Sequence, residues 1–299
     1  MFKQGLFNNH RILVTGGGSG LGKAMAGRLL ELGAEIVICG RRESVLAEAA
    51  DELTSQYGGT VRTYGVDLRD AAAVERVVQA IWDESGPLTG LINNAAGNFI
   101  SRTEDLSSRG FDAIANTVLH GTFYVTHAVG KRWIAGGIRG SVVSIVTTWV
   151  QTGSPFVVPS AMAKAGVDVM TKSLAVEWGK HGIRLNAIAP GIFPTEGATA
   201  RLRPADNPHG LEKAANPTKR LGNTSELANL SAFLLAGGCE WLSGQTIAID
   251  GAHSLANGAY FTAYSDWTDQ QWAEARERVK AATDADKKLR SVAAPDSSS

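Results

Sequence analysis

Seven short apolar runs, separated by amphipathic stretches, limit what this chain can become. They are RILVT (11–15), EIVIC (35–39), TVRTYG (60–65), LTGLINN (88–94), GSVVSIV (140–146), GIRLNAIAP (182–190) and GQTIAID (244–250). The runs are rich in β-branched residues and show little period-2 alternation, as expected of strands covered on both faces. The stretches between them are long enough for the helical crossovers that parallel strands require. The pattern predicts an α/β fold in one compact domain, a doubly wound parallel sheet of about seven strands.

Composition removes several function classes. With 299 residues and 44% hydrophobic content the chain can bury a sizeable core. Lysine plus arginine and aspartate plus glutamate are 29 each, so no whole-chain field draws it to nucleic acid or an anionic membrane. No segment offers the roughly 20 apolar residues of a bilayer span. An anionic small molecule would have to be held by local groups. Cys39 and Cys239 lie far apart, without metal-binding or redox spacing, so neither a disulfide framework nor a metal site is expected and Cys39 reads as a core residue. The start MFKQGLFNNHRILVTGG lacks the regions of a signal peptide and the chain ends in SSS rather than SKL, so a cytoplasmic protein is expected.

Two regions depart from the strand–helix rhythm. From Gly191 to Arg220 the chain is rich in proline and glycine and reads as a substrate loop with short helices. After Gly251 the sheet pattern stops. The sequence WTDQQWAEARERVKAA (267–282) predicts a helix capped by Thr268, with Trp267 and Trp272 near its start and a frayed KKLRSVAAPDSSS beyond it. The expected organisation is one α/β domain over 1–260 and a tail over 261–299 with one helix.

The first run leads into Thr15-Gly16-Gly17-Gly18-Ser19-Gly20-Leu21-Gly22, followed by a predicted helix from about Leu21 to Leu32. Glycines permit the tight turn and let backbone amides approach a pyrophosphate at the positive helix end. The second run ends in Arg41-Arg42, where a carboxylate would suit a free ribose hydroxyl and arginine suits a 2′-phosphate. The cofactor expected is therefore NADPH; a solvated helix start is the competing account of the two arginines. After the third run stand Asp67 and Leu68, with Asp67 suited by itself to cap a helix. Asn93-Asn94-Ala95-Ala96-Gly97 ends the fourth run and Pro190-Gly191-Ile192-Phe193-Pro194-Thr195 follows the sixth, both at strand ends that suit a crevice site.

Thr-Gly-xxx-Gly-x-Gly through Gly16, Gly20 and Gly22, the Asn-rich run and the Pro-Gly-xxx-Thr segment together resemble the short-chain dehydrogenase/reductase family over residues 10 to 251. The resemblance implies a Rossmann fold and a homotetramer. It also implies that Asp67 lies near the adenine, Thr195 meets the nicotinamide carboxamide, and Lys164 binds the ribose. Ordinary members use a tyrosine four residues before that lysine as acid/base, with a serine and a helix asparagine. Here those positions hold Ser160, Thr147 and Val118. A serine hydroxyl is a far weaker acid than a phenol of pKa about 10, so it does not inherit the role.

The segments NNAAGNFIS, SPFVVPSAMAKAGV, SLAVEWGKHGIRLN, KRLGNTSELANLSAFL and WTDQQW resemble the 2,4-dienoyl-CoA reductase branch, the mitochondrial type in particular, which also carries serine at position 160. This implies reduction of an acyl-CoA substrate by NADPH, with hydride added at Cδ, the thioester oxygen held, and a proton returned to Cα. It assigns Asn98 to the thioester carbonyl, Ser160 to a hydrogen bond in the site and Lys164 to electrostatic stabilisation. Phe99 and Trp149 would border the substrate. Asn98 also suits a plain turn. Trp149 stands where the mitochondrial type has its proton-donating tyrosine, and Val118 where the peroxisomal type has an aspartate. An indole donates a hydrogen bond but no proton near neutral pH, and a core aromatic is the other account of Trp149. His120, Thr147 or Ser160 could instead hold the water that delivers the proton. Arg201, Arg203 and Lys213 on the loop are expected at CoA phosphates or at a solvated surface.

Overall fold

The computed structural model describes residues 1–195, 199, 202, 210–257, 264 and 267–288. The seven apolar runs become β1 (Arg11–Thr15), β2 (Glu35–Gly40), β3 (Val61–Gly65), β4 (Gly90–Asn93), β5 (Gly140–Ile145), β6 (Ile183–Pro190) and β7 (Thr246–Ile249). They pair in parallel in the order β3-β2-β1-β4-β5-β6-β7. This is the doubly wound sheet the sequence predicts. The order reverses between β1 and β4, and that switch point leaves a crevice at the carboxyl ends of the strands.

Consecutive strand residues face opposite ways, so each strand feeds two cores. Val14, Ile36 and Ile38 join Met25, Leu29 and Leu235 on one face; Leu13 and Val37 join Val78, Ile81, Val129 and Trp133 on the other. β4 and β5 are buried throughout, which removes the alternation from their sequences. β3 is an edge strand with largely exposed side chains, and its sequence VRTYG is correspondingly polar.

The crossovers are α1 (Gly20–Glu31), α2 (Glu43–Tyr57), α3 (Ala71–Ser85), α4 (Ser108–Ala115) running into α5 (Gly121–Gly136), the short α6 (Trp149–Thr152) and α7 (Val158–Trp178). Asp70 caps α3 by accepting from the amides of Ala72 and Ala73. A helix over Thr224–Leu235 begins with a capping box between Asn223 and Glu226 and packs against α1. Between α4 and α5 the chain makes one π turn, Asn116–His120, which nothing in the sequence announces.

The tail helix runs Asp269–Lys288, beyond the predicted limit of 282, so the two lysines of KKLRS are helical. Thr268 caps it as expected: its hydroxyl accepts from the Gln271 amide while the Gln271 side chain accepts from the Thr268 amide. No helix among the described residues is long and apolar enough to cross a membrane.

Candidate active site

The crevice is shaped first by backbone. Gly16 and Gly20 have φ of 64° and 53°, the left-handed region that L side chains rarely occupy. A Cβ on Gly16 would lie 3.0 Å from Ala95 Cα, and one on Gly22 would enter the Gly16 carbonyl oxygen. Asn94 fixes this turn, its amide donating to the carbonyls of Thr15 (3.0 Å) and Gly16 (3.2 Å). Thr15 Oγ1 accepts from the backbone amides of Asn94 and Ala95, both at 3.0 Å. Asn94 and Thr15 therefore hold the loop rather than project from it, while Ala96 is exposed at the rim.

Ser19 precedes α1 in extended conformation and makes no side-chain cap, and no acid stands in the first turn. The first amides of α1, around Leu21 and Gly22, are thus left for an anion at the positive helix end. Gly18 lies close to Val45 and Leu46 of α2. Thr195 faces Gly20, 3.4 Å from where a Cβ would stand. Gly191 ends β6 by donating to the Ile249 carbonyl, just after Pro190. Ile192 is buried instead, lining a cavity of about 60 Å³ with Phe193, Asn216 and Leu221.

At the β2 end, Asp67 does not cap α3; Asp70 does. Asp67 accepts from the Arg69 amide at 3.0 Å and pairs with the Arg69 guanidinium at 2.5 Å. Burial pushes its carboxyl up, but the bonds from Arg69, with the nearby Arg41 charge, outweigh this and hold it below the usual carboxylate range. Leu68 is buried with its Cβ against Gly121, so only its backbone could meet a ligand. Arg42 forms an ion pair of 2.7 Å with Asp286 of the tail helix. No local spacing announces that contact.

At the β5 end, α7 brings Ser160 and Lys164 onto one face, one turn apart, both buried. Lys164 Nζ donates to the Ile145 carbonyl, and burial lowers its pKa to about 8. Thr147 and Thr148 are buried after β5; Thr148 Oγ1 has no hydrogen-bond partner among the described residues. Asn98 Oδ1 accepts from the Phe99 amide at 2.9 Å, a local turn that leaves the Asn98 NH₂ outside this bond. Phe99 packs on Ile114, Val118 and Ala163. Val118 is wholly buried there, so the helix position supplies neither amide nor carboxyl. His120 is exposed, with its ring 6.2 Å from that of Tyr124.

Trp149 packs into a cluster with Ile100, Val157, Phe156, Leu202, Tyr264, Trp267 and Trp272. Phe156 has φ of 64°, a strained setting for a bulky residue, with its ring 4.7 Å from that of Trp272 and its carbonyl accepting from the Ser101 amide. The tail thereby packs against the segments that follow β4 and β5. Arg201 and Arg203 lie outside the described residues, and Lys213 is exposed.

The family described as enoyl-(acyl carrier protein) reductase matches residues 16–253. The chain belongs to the short-chain dehydrogenase/reductase family. It is 43% identical to an uncharacterized oxidoreductase of Caenorhabditis elegans, over 95% of this chain and 92% of the relative. It is 39% identical to a protein of the same organism named a probable 2,4-dienoyl-CoA reductase producing (3E)-enoyl-CoA, over 96% and 94% of the two chains. Among solved structures it resembles a gluconate 5-dehydrogenase from Burkholderia cenocepacia in complex with NADP and tartrate. The match has 29% identity, covers 84% of this chain and 97% of that one, and has a TM-score of 0.78. As a short-chain dehydrogenase/reductase, the chain is an NAD(P)-dependent oxidoreductase. Its positive-φ glycines, uncapped helix end and arginines fit a dinucleotide in this crevice.

Proposed function

We propose that this protein reduces 2,4-dienoyl-CoA, or a closely related enoyl-CoA, with NADPH. The observation that carries the reading is a buried Lys164 beside Ser160 and Thr147, at a site where the tyrosine position and Val118 offer no acid. A conjugated thioester accumulates negative charge on its oxygen as it is reduced, and stabilising that charge matters more than protonating it at once. NADPH supplies the hydride when bound. The chain's own contribution is to hold the thioester oxygen with the Asn98 amide and Ser160, to set the Lys164 charge nearby, and to bind the ribose through Lys164. Arg41 and Arg42 support selection of the 2′-phosphate, with Asp67 beside the adenine. Trp149 and Phe99 border the acyl group. The names of the relatives support the substrate class.

Trp149 and Val118 favour a second reading, a nucleotide-binding sensor without turnover, since neither side chain can release a proton. Exposed Phe123 on α5 and Met162, Val169 and Val176 on α7 support a homotetramer that buries these faces. The test is oxidation of NADPH with 2,4-dienoyl-CoA, 2-enoyl-CoA and 3-ketoacyl-CoA. Turnover of the dienoyl or enoyl thioester is expected. Reduction of the 3-ketoacyl compound alone would overturn the reading, and tight NADPH binding with no turnover would favour the sensor.

A further inference from the structure

The tail helix joins the segment after β4 to the end of β2. Near its start, Asp269 pairs with Arg102 and Arg276 with Asp105, both on the segment after β4, and Trp272 is buried in the aromatic cluster. Seventeen residues later, about 25 Å along a helix at 1.5 Å per residue, Asp286 meets Arg42 at the end of β2. An aspartate in the last turn opposes the helix dipole, where lysine or arginine would be favourable. Its position gains a reason from the guanidinium it faces.

We propose that Asp286 is a cofactor-selectivity residue, competing with the ribose 2′-phosphate for Arg42. The inference rests on the NADPH reading of Arg41 and Arg42 given above. Asp286 occupies Nη1 of Arg42, and a 2′-phosphate gripped by both terminal nitrogens of that guanidinium needs the same nitrogen. A 2′-phosphate arriving at Arg41 and Arg42 meets the Asp286 carboxylate as a like charge, and must displace it. A free 2′-hydroxyl carries no charge and can donate to the carboxylate, so NADH leaves the pair in place. Binding of NADPH therefore releases the last turn of the tail helix, whereas binding of NADH does not. The aromatic seat and the two ion pairs at the other end keep the rest of the helix docked.

The test compares dissociation constants of NADPH and NADH for the full-length wild type, Asp286→Asn and Asp269→Ala. In Asp286→Asn the preference for NADPH over NADH rises about tenfold, through tighter NADPH binding. In Asp269→Ala, which loosens the opposite end, it stays within about twofold. Amide exchange over residues 280–288 of the wild type rises with NADPH and not with NADH. The proposal is overturned if Asp286→Asn leaves the preference unchanged or lowers it, or if Asp269→Ala raises it as much. The preference of Asp286→Asn itself tests the cofactor reading: equal affinities once the competing carboxylate is gone would refute that reading, while the change from wild type decides the role of Asp286.

Discussion

After β1, Gly16, Gly20 and Gly22 leave space by carrying no side chains; beyond β4 and β5, Trp149, Phe156, Tyr264, Trp267 and Trp272 fill space with packed rings. The first region is a local construction, one strand, one turn and one helix, tied by Asn94 and Thr15. The second draws on the segments after β4 and β5, on Leu202 and on the tail. A site made by absence tolerates no added atom, and a site made by packing tolerates no removed one. The two should therefore fail under opposite substitutions.

The largest loss is expected from the tail. Trp272→Ala removes a side chain only 2% exposed and should destabilise the protein by about 3–5 kcal/mol, measured by urea unfolding. Hydrogen exchange should show the loss centred on residues 269–288 and the loop at Phe156, with the amides around Gly16 unaffected. Equal loosening of both regions would show that they are one cooperative unit and would break the contrast.

Lys164 is buried on α7 at the end of β5, and its burial gives stability a pH signature. Its folded pKa of about 8 is below the ordinary 10.5. Between these values the unfolded chain holds a proton that the native one has lost, so native stability rises with pH across this window. Below about pH 8 both states are protonated and the full burial cost is present. The gain is roughly 3 kcal/mol between pH 8 and 10.5. Urea unfolding without nucleotide should show this rise in wild type relative to Lys164→Met, in which it is absent. Parallel curves would mean that the lysine is solvated in the native state. Turnover should decline as the pH passes 8, because the neutral amine no longer stabilises a developing oxyanion.

The converse probe adds one methyl group. Gly22→Ala places a Cβ against the Gly16 carbonyl and Asn94 Nδ2, neither of which can step aside without moving the turn. A cost of about 1–3 kcal/mol is expected, with NADPH binding weakened by tenfold or more. Unchanged binding would show that the glycine turn is not the pyrophosphate seat.

This contrast also explains what could be read from the sequence. The seven parallel strands and the glycine turn were legible because burial on both faces and positive φ restrict residue type at fixed spacing. Ser160 and Lys164 share a face because four residues are one helical turn, so their meeting was legible as well. The roles of Asp67 and Asp70 were not separable, since both stand in VDLRD and only the backbone decides which one caps α3. The π turn, the left-handed Phe156 and the Asp286–Arg42 pair depend on contacts between distant segments, and no local spacing encodes them. Trp267 and Trp272 in a polar tail were the one available signal that the tail docks.

The smallest expected effect separates stability from function at a single atom. Thr148 Oγ1 is buried without a partner among the described residues, between Thr147 and Trp149. An unsatisfied buried hydroxyl costs about 1–3 kcal/mol, so Thr148→Val, nearly the same in shape, should stabilise the protein by about 1 kcal/mol. If the hydroxyl is held there for a substrate atom or for the water that returns the proton, the same variant loses turnover while its nucleotide affinity is unchanged. A variant that gains stability and keeps full turnover would leave Thr148 as packing alone, and the hydroxyls that matter would be those of Thr147 and Ser160. One that loses stability would mean that ordered water already satisfies the hydroxyl, as buried polar groups generally require.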